Sequence, residues 1–550
     1  MLKEIRFNDT DTRVRKYLVP KKILLTKGFW KGEERLLHYK NRQISTQEPE
    51  VTTMISTEEE KAGILFDFGV ELHGGISISL FRIRTGEEEV KFRICFGESV
   101  GEALSHIGEK NATNDHSMRD FEITTKSWTV SECGATGFRF VYLELLTPSK
   151  VHLKTVQAMM VYQPYEYIGS FESDDEMLNR IYDTAAYTCH LCLQNELWDG
   201  IKRDRLVWIG DLSPELKTIK YVWGDVPQIY NALALSAHNT ALPAWINGIA
   251  TYSLWWLINL EEWVFYTGKK EYLYEQKDYI LRLIRQILEN VDENGNFTAS
   301  DFIDWPSKGF SSAKSGAKAL LILCLRACEK ILSLLGEEAL KKECRATQNL
   351  AESKKESCGD LKQIAALLLL AGIAADDCSD CLQRGGAEGF STFMSYYILS
   401  GMVECCSEEE ILNTLKTYYG AMLNLGATTF WEDFDVKWTE NACRLDEICK
   451  EGQTDIHGDH GKYCYQGFRH SLCHGWSSGP VAFLTEYVLG IRVVGEGCTE
   501  IEVRPHLGAL KHVRGSIATP FGKLIVEHRK GENGTVITSI EVPNGIKILK

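Results

Sequence analysis

No apolar run in the 550-residue chain reaches the roughly 18 residues a membrane span needs. The longest, around Ile364 to Ile373, has the length of a buried helix, so no membrane partner is expected. The amino terminus, MLKEIRFNDTDTRVRKYLVP, lacks the apolar core of a secretory leader, which points to the cytoplasm. Positive charge is not in excess. Lys plus Arg number 61 against 76 Asp plus Glu, a net charge of −15 that disfavours phosphate-backbone partners and hence nucleic acid. The GxSxG elbow, the GxxxxGK[ST] phosphate loop, HExxH and the Gly-rich dinucleotide fingerprint do not occur, so several common chemistries and their cofactors are set aside. Low-complexity tracts and a 34-residue helical-repeat signature are missing too.

What is present is ordinary globular composition, 44% hydrophobic and 25% charged, over a length that suits two to four domains. The 17 cysteines are odd in number and scattered, with Cys405 beside Cys406. That pattern suits reduced thiols rather than a disulfide framework. The CxxC pairs Cys189/Cys192 and Cys378/Cys381 are far apart, and a zinc site needs four converging ligands, so neither metal nor cofactor is expected. The 13 Trp residues stand out. Indoles in a cleft suit flat apolar ligand faces such as sugar rings, although most Trp residues are core.

Three textures divide the chain. Residues 1–165 alternate with period two, as in 63–68, 75–83, 90–96 and 138–146, and read as an N-terminal β-sandwich. Residues 166–490 carry i, i+3, i+4 patterns, as in 177–196, 245–267, 271–288, 315–335 and 391–401. About twelve helices fit that length, which predicts an (α/α)6 toroid, with an irregular α-solenoid as the other arrangement. Residues 491–550 return to short strands, at 500–504, 523–527 and 535–540, and read as a small C-terminal β domain.

Polar chemistry concentrates in four places. Trp198-Asp-Gly-Ile-Lys-Arg-Asp-Arg-Leu-Val-Trp-Ile-Gly-Asp211 alternates carboxylates and cations between two Trp residues, a setting in which one carboxyl pKa can rise toward that of a general acid. The other reading of this stretch is a solvated salt-bridge loop. Gly426-Ala-Thr-Thr-Phe-Trp-Glu-Asp-Phe-Asp435 places Glu432, Asp433 and Asp435 among aromatics, where a carboxylate can activate water beside a sugar face or simply cap a helix. Asp301-Phe-Ile-Asp-Trp-Pro306 and Ser471-Leu-Cys-His-Gly-Trp-Ser-Ser-Gly-Pro480 are weaker aromatic–polar sites, and His474 alone is more often structural than ligand-binding. Two carboxylates far apart in sequence, each among aromatics on an α-toroid, point to glycoside cleavage.

At these residues the sequence resembles the bacterial α-L-rhamnosidases of glycoside hydrolase family 78. Lys202 to Asp211 aligns without gaps to the second half of that family's D-x-P-x-R-D-E-R-x-G-W-x-G-D segment. Gly426-Ala-Thr-Thr-Phe-Trp-Glu432 resembles its G-A-T-T-x-W-E segment, Phe302-Ile-Asp-Trp305 its F-x-D-W segment, and His474-Gly-Trp476 the region near its end. The resemblance covers about residues 166–550 and, more loosely, the N-terminal β region. It implies that Asp204 is the general acid and Glu432 the general base. Asp199, Arg203, Trp208, Asp211, Asp304, Trp305, Trp431 and His474 would then bind or shape the sugar site. Asp204 stands where the family has Glu, and Gly200-Ile201 where it has Cys-Pro. The implied activity is inverting removal of a terminal α-L-rhamnosyl-type residue from a carbohydrate partner, by a chain compatible with a homodimer. An unsaturated-uronyl hydrolase, another (α/α)6 carbohydrate enzyme or a sugar-binding protein with a decayed site are the alternatives.

Overall fold

The structure, a computed structural model, describes residues 11–549. Its first part is a nine-stranded antiparallel sheet. The two apolar stretches at 63–68 and 75–83 are one strand, Ala62–Ile83, which pairs with both Thr129–Leu145 and Ser149–Tyr162. Register shifts at Asp67/Leu72 and Gly74/Ile76 let it bend as bulges do and so face two packing partners. Its residues are buried along nearly the whole length, around a core of their own that includes Phe66, Phe92, Phe96, Phe138 and Val141.

The central region is a toroid. Helices Leu212–Val222, Ala250–Thr267, Ala313–Leu335, Lys362–Ala371 and Ser395–Met402, and the helical turns beginning at Pro480, each touch the next, and the last touches the first. Outside this ring, and each preceding one inner helix in the chain, lie Glu176–Cys192, Pro227–Asn239, the pair Glu271–Glu275 and Lys277–Glu289, Glu338–Ala351, Asp377–Gln383 and Glu408–Asn424. The split between Glu275 and Lys277 breaks the single helix that the periodicity at 271–288 suggests. The inner helices are buried on most sides. Ala250–Thr267, for instance, places Trp255, Trp256 and Trp263 wholly in the core.

This connectivity dictates where a site can form. Every loop running from an outer to an inner helix ends where an inner helix begins, and those six beginnings share one end of the ring. The stretches 199–211, 301–306, 426–435 and 471–480 all lie in such loops.

The C-terminal residues form two small sheets. Three strands, Ile491–Val493, Glu500–Val503 and Lys547–Leu549, form one. The other contains His512–Thr519, Gly522–Lys530 and Val536–Glu541, and its edge comes from Ser170–Ser173, far upstream. No helix among the described residues is long and apolar enough to cross a membrane. The expectation of reduced thiols needs one correction: Cys443 and Cys449, six residues apart, form a disulfide, while fifteen cysteines are free.

Candidate active site

The loop 198–211 has no regular secondary structure, so its shape comes from side-chain and long-range bonds. Asp199 fastens it internally: its Oδ1 accepts from Leu206 N at 2.9 Å, and its backbone N–H donates to Leu206 O at 3.1 Å. The Asp199 carbonyl accepts from Gly475 N at 2.7 Å, and Gly200 bridges to His474, which ties the loop to the 471–480 segment. Asn247 fixes the far end by accepting from Ile209 N at 3.0 Å and donating to Val207 O at 3.0 Å.

Between these anchors Asp204 and Arg205 take left-handed backbone angles, φ 54° for each. Neither is glycine, so the conformation is strained and has to be held by surrounding contacts. Part of the hold comes from the β domain. Arg205 donates to Ala135 O at 2.9 Å and to His116 O, and Ser117 Oγ donates to Lys202 O at 2.7 Å. His116, itself at φ 64°, sets its Nδ1 3.4 Å from Asp204 Oδ1. Lys202 is buried against two carboxylates of the β domain, Glu98 at 2.9 Å and Glu102 at 3.3 Å, and donates to Phe468 O at 3.0 Å.

Arg203 joins the two family-implied catalytic carboxylates. Its Nη1 lies 3.3 Å from Asp204 Oδ1, and its Nη2 donates to Glu432 Oε1. Chained through one planar guanidinium, the nearest oxygens of Asp204 and Glu432 are no more than about 8 Å apart. Glu432 is set deep. Its Oε2 accepts from Ser471 N at 3.1 Å, and its carbonyl accepts from Trp476 Nε1 at 2.9 Å and from Thr392 Oγ1. Burial alone would raise its pKa, but Arg203, with help from His474 and His470, outweighs burial and lowers it to about 2. Asp433 beside it goes the other way: burial and the neighbouring Glu432 charge push it up to about 7.

The remaining acids form a second tier. Asp211 accepts from His474 at 3.0 Å and from the Tyr252 hydroxyl at 3.3 Å. Burial raises its pKa against the pull of His474. Burial works against the imidazolium of His474, yet the hydrogen bond to Asp211 and the charges of Glu432 and Asp199 raise its pKa overall. Asp199 is pushed well up by burial, opposed by His474 and reinforced by Asp211 and Asp204. Asp304 Oδ1 accepts from Ser307 N at 3.0 Å and from Gln363 at 3.4 Å, whereas its buried Oδ2 has no partner among the described residues. A buried oxygen without a partner is costly, and it is left able to accept a hydrogen bond. Trp305 stacks on Tyr463, rings 6.0 Å apart, and Trp208 stands edge-on to Tyr252 at 6.3 Å. Both are half-buried.

Trp431 is 1% exposed and packs edge-on against Phe434. Three of the residues that sequence reasoning missed lie on the β domain: Glu98, Glu102 and His116. Asn247, Tyr463 and the Ser471 amide were missed as well. Asp433 was noticed only as a member of its cluster. Nothing near His116 or Glu98 in sequence marks them, because their part is defined by a docking of domains.

A ring of six helical hairpins, with carboxylates collected where the inner helices begin, is the six-hairpin glycosidase architecture. Residues 166–354 match the bacterial α-L-rhamnosidase six-hairpin glycosidase domain. No curated protein matches the chain. Among solved structures it is similar to the GH78-family rhamnosidase of Bacillus sp. GL1, with TM-score 0.74 and 20% identity over 94% of this chain and 55% of that one. The α-L-rhamnosidase of Dictyoglomus thermophilum gives TM-score 0.69 and 19% identity, over 88% and 56% of the two chains. The Klebsiella oxytoca rhamnosidase with rhamnose bound gives 0.68 and 17%, over 86% and 96%. The chain thus spans little more than half the length of the first two.

Proposed function

We propose that the chain is an inverting glycoside hydrolase that removes a terminal α-L-rhamnosyl-type residue. Asp204 protonates the leaving oxygen. Glu432 takes the proton of a water that attacks the anomeric carbon from the opposite face of the ring. The observation that carries this reading is Arg203, which touches both carboxylates from between them. The bridge caps their separation at about 8 Å, which is compatible with the roughly 6.5–9.5 Å of inverting enzymes, and the first-formed anomer decides between that and the shorter spacing of retention. Arg203 also keeps Glu432 ionised, as a water-activating group must be.

The sugar is the finer step. The Klebsiella oxytoca relative was solved with rhamnose bound, and this chain covers 96% of it. The partnerless Oδ2 of Asp304, the Asp211–His474 pair and the half-buried faces of Trp208 and Trp305 provide polar and flat apolar contacts for a deoxyhexose. Fifteen free thiols favour a reducing compartment against the one Cys443–Cys449 disulfide, and the cytoplasm is the proposed location.

A panel of p-nitrophenyl glycosides, with NMR of the first-formed anomer, tests substrate class and stereochemistry together. Turnover of the α-L-rhamnoside giving the β-anomer first supports the proposal. Release of the α-anomer means retention, and turnover of uronides alone moves the chain to the uronyl-hydrolase class.

A further inference from the structure

Away from the sugar site, the fold brings together three thiols that lie apart in sequence. The linker before helix Lys362–Ala371 is pinned to the residues that follow that helix. Glu356 N donates to Ile373 O at 2.8 Å, and Ala375 N donates to Glu356 O at 3.0 Å. This short parallel bridge carries Cys358 to the start of helix Asp377–Gln383. There Cys358 Sγ, the Asp377 carboxylate and Cys378 Sγ all lie within 4.8 Å of one another. Cys358 Sγ is 3.5 Å from Asp377 Oδ2, and Cys378 Sγ is 3.7 Å from Asp377 Oδ1. Cys381 lies one helical turn on from Cys378, on the same face of helix Asp377–Gln383. All three cysteines are buried and free, and Asp377 is half-buried.

We propose that Cys358, Cys378 and Cys381, with the Asp377 carboxylate, bind one thiophilic divalent cation, zinc, as a structural staple in the toroid wall. Zinc with three thiolates and one carboxylate is four-coordinate, with Zn–S bonds of about 2.3 Å and Zn–O of about 2.0–2.2 Å, so its donors stand roughly 3.5–3.8 Å apart. The two sulfur–carboxylate distances are near that spacing, each to a different oxygen of the carboxylate, and the Cys381 thiol has to turn in to complete the set. Spacing of Cys378 and Cys381 as C-x2-C is the common half of structural zinc sites. The other half comes from 20 residues upstream, which is why two CxxC pairs read alone do not reveal it. The donors are soft sulfur with a single carboxylate, so calcium and magnesium, which take oxygen ligands, are excluded on chemistry. A second acid–imidazole group, Glu98, Glu102 and His457, is compact too, but the Lys202 ammonium contacts both of its carboxylates and fills the cation's role.

The test uses the full chain, loaded with zinc, dialysed free of excess and assayed for metal by mass spectrometry. Retention of one zinc per chain, reduced at least about tenfold in Cys358→Ser and in Cys381→Ser, supports the site. The milder Asp377→Asn is expected to fold and to weaken zinc affinity about ten- to a hundredfold in a chelator competition. Cobalt substitution should give a thiolate-to-cobalt charge-transfer band in the wild type that Cys358→Ser loses. Zinc retention that is absent in the wild type, or unchanged in all three variants, overturns the proposal. So does a disulfide among Cys358, Cys378 and Cys381 found in the freshly purified chain.

Discussion

The two loops that bear the proposed catalytic carboxylates are held in opposite ways. Glu432 sits on a segment built into the toroid core, bonded through its backbone and both carboxylate oxygens, and fixed as an anion by Arg203. Asp204 sits on a strained loop, its side chain about one-fifth exposed, steadied mainly by contacts to a different domain. A base that activates water needs a permanent charge at a fixed point. An acid that meets different leaving groups needs to stand near the opening. Rigidity is therefore placed at the site's floor and adjustability at its rim.

The sharpest way to break this contrast is at Glu432. Glu432→Gln should lower kcat about 10³-fold, within the usual 10²–10⁴ range for a general base, with the fold kept by circular dichroism. Near-wild-type turnover would remove Glu432 from the mechanism. Lys202→Met probes the shared foundation, since it leaves Glu98 and Glu102 buried without their cation. Breaking a buried pair in this way costs about 3–5 kcal/mol, to be read as a lowered Tm. If the Tm does not fall, the β domain is not braced through Lys202.

On the acid side, Asp204→Asn should lose about 10²–10³ in kcat on alkyl glycosides and much less on p-nitrophenyl glycosides, whose leaving group needs little protonation. Asp199→Asn should be the milder change of the two, because Asp199 holds the loop from below. If Asp199→Asn loses alkyl glycosides selectively while sparing p-nitrophenyl glycosides, and Asp204→Asn shows no such selectivity, the acid is Asp199.

The pH profile separates Glu432 from Asp433. A base must be deprotonated, and Glu432, lowered to about 2, stays ionised until the pH falls near that value. Asp433, raised to about 7, takes up its proton much earlier. With Glu432 as base, Asp433→Asn stays active and its kcat/KM holds well below pH 5, whereas a wild-type acid limb near pH 7 together with loss of turnover in Asp433→Asn would assign the base to Asp433. The smallest effect belongs to the rim. His116→Phe removes one neutral-strength contact of about 0.5–1.5 kcal/mol, which corresponds to about a two- to tenfold loss in kcat/KM. A loss as large as that of Asp204→Asn would make His116 part of the proton path itself.

Much of the architecture was legible because it is local. Period-two spacing marked the strands and 3.6-residue spacing the helices, and both survive in the structure with ends moved by a few residues. The helix expected from Trp245 starts at Ala250, because Asn247 is used to pin the neighbouring loop and stands at φ 53°. The polar segments were visible as aromatic–acid clusters, and the family resemblance joined them. What could not be read locally was tertiary. His116 and Asp204 are 88 residues apart in number, and Cys358 meets Cys378 only because of a bridge between Glu356 and Ala374.

The Arg139 guanidinium draws these observations together. It donates to Asp67 within the β domain at 2.8 Å and to Gly426 O, at the head of the base-bearing segment, at 2.9 Å. The β domain thus grips both loops, through Arg139 on one side and Ser117 and Glu98 on the other. It is also the first part of the described chain to leave the ribosome, and domains synthesised first tend to fold first. A toroid without the β domain would keep its ring of helix contacts but lose the Arg139, Ser117 and Glu98 bonds that hold the two loops at its working end.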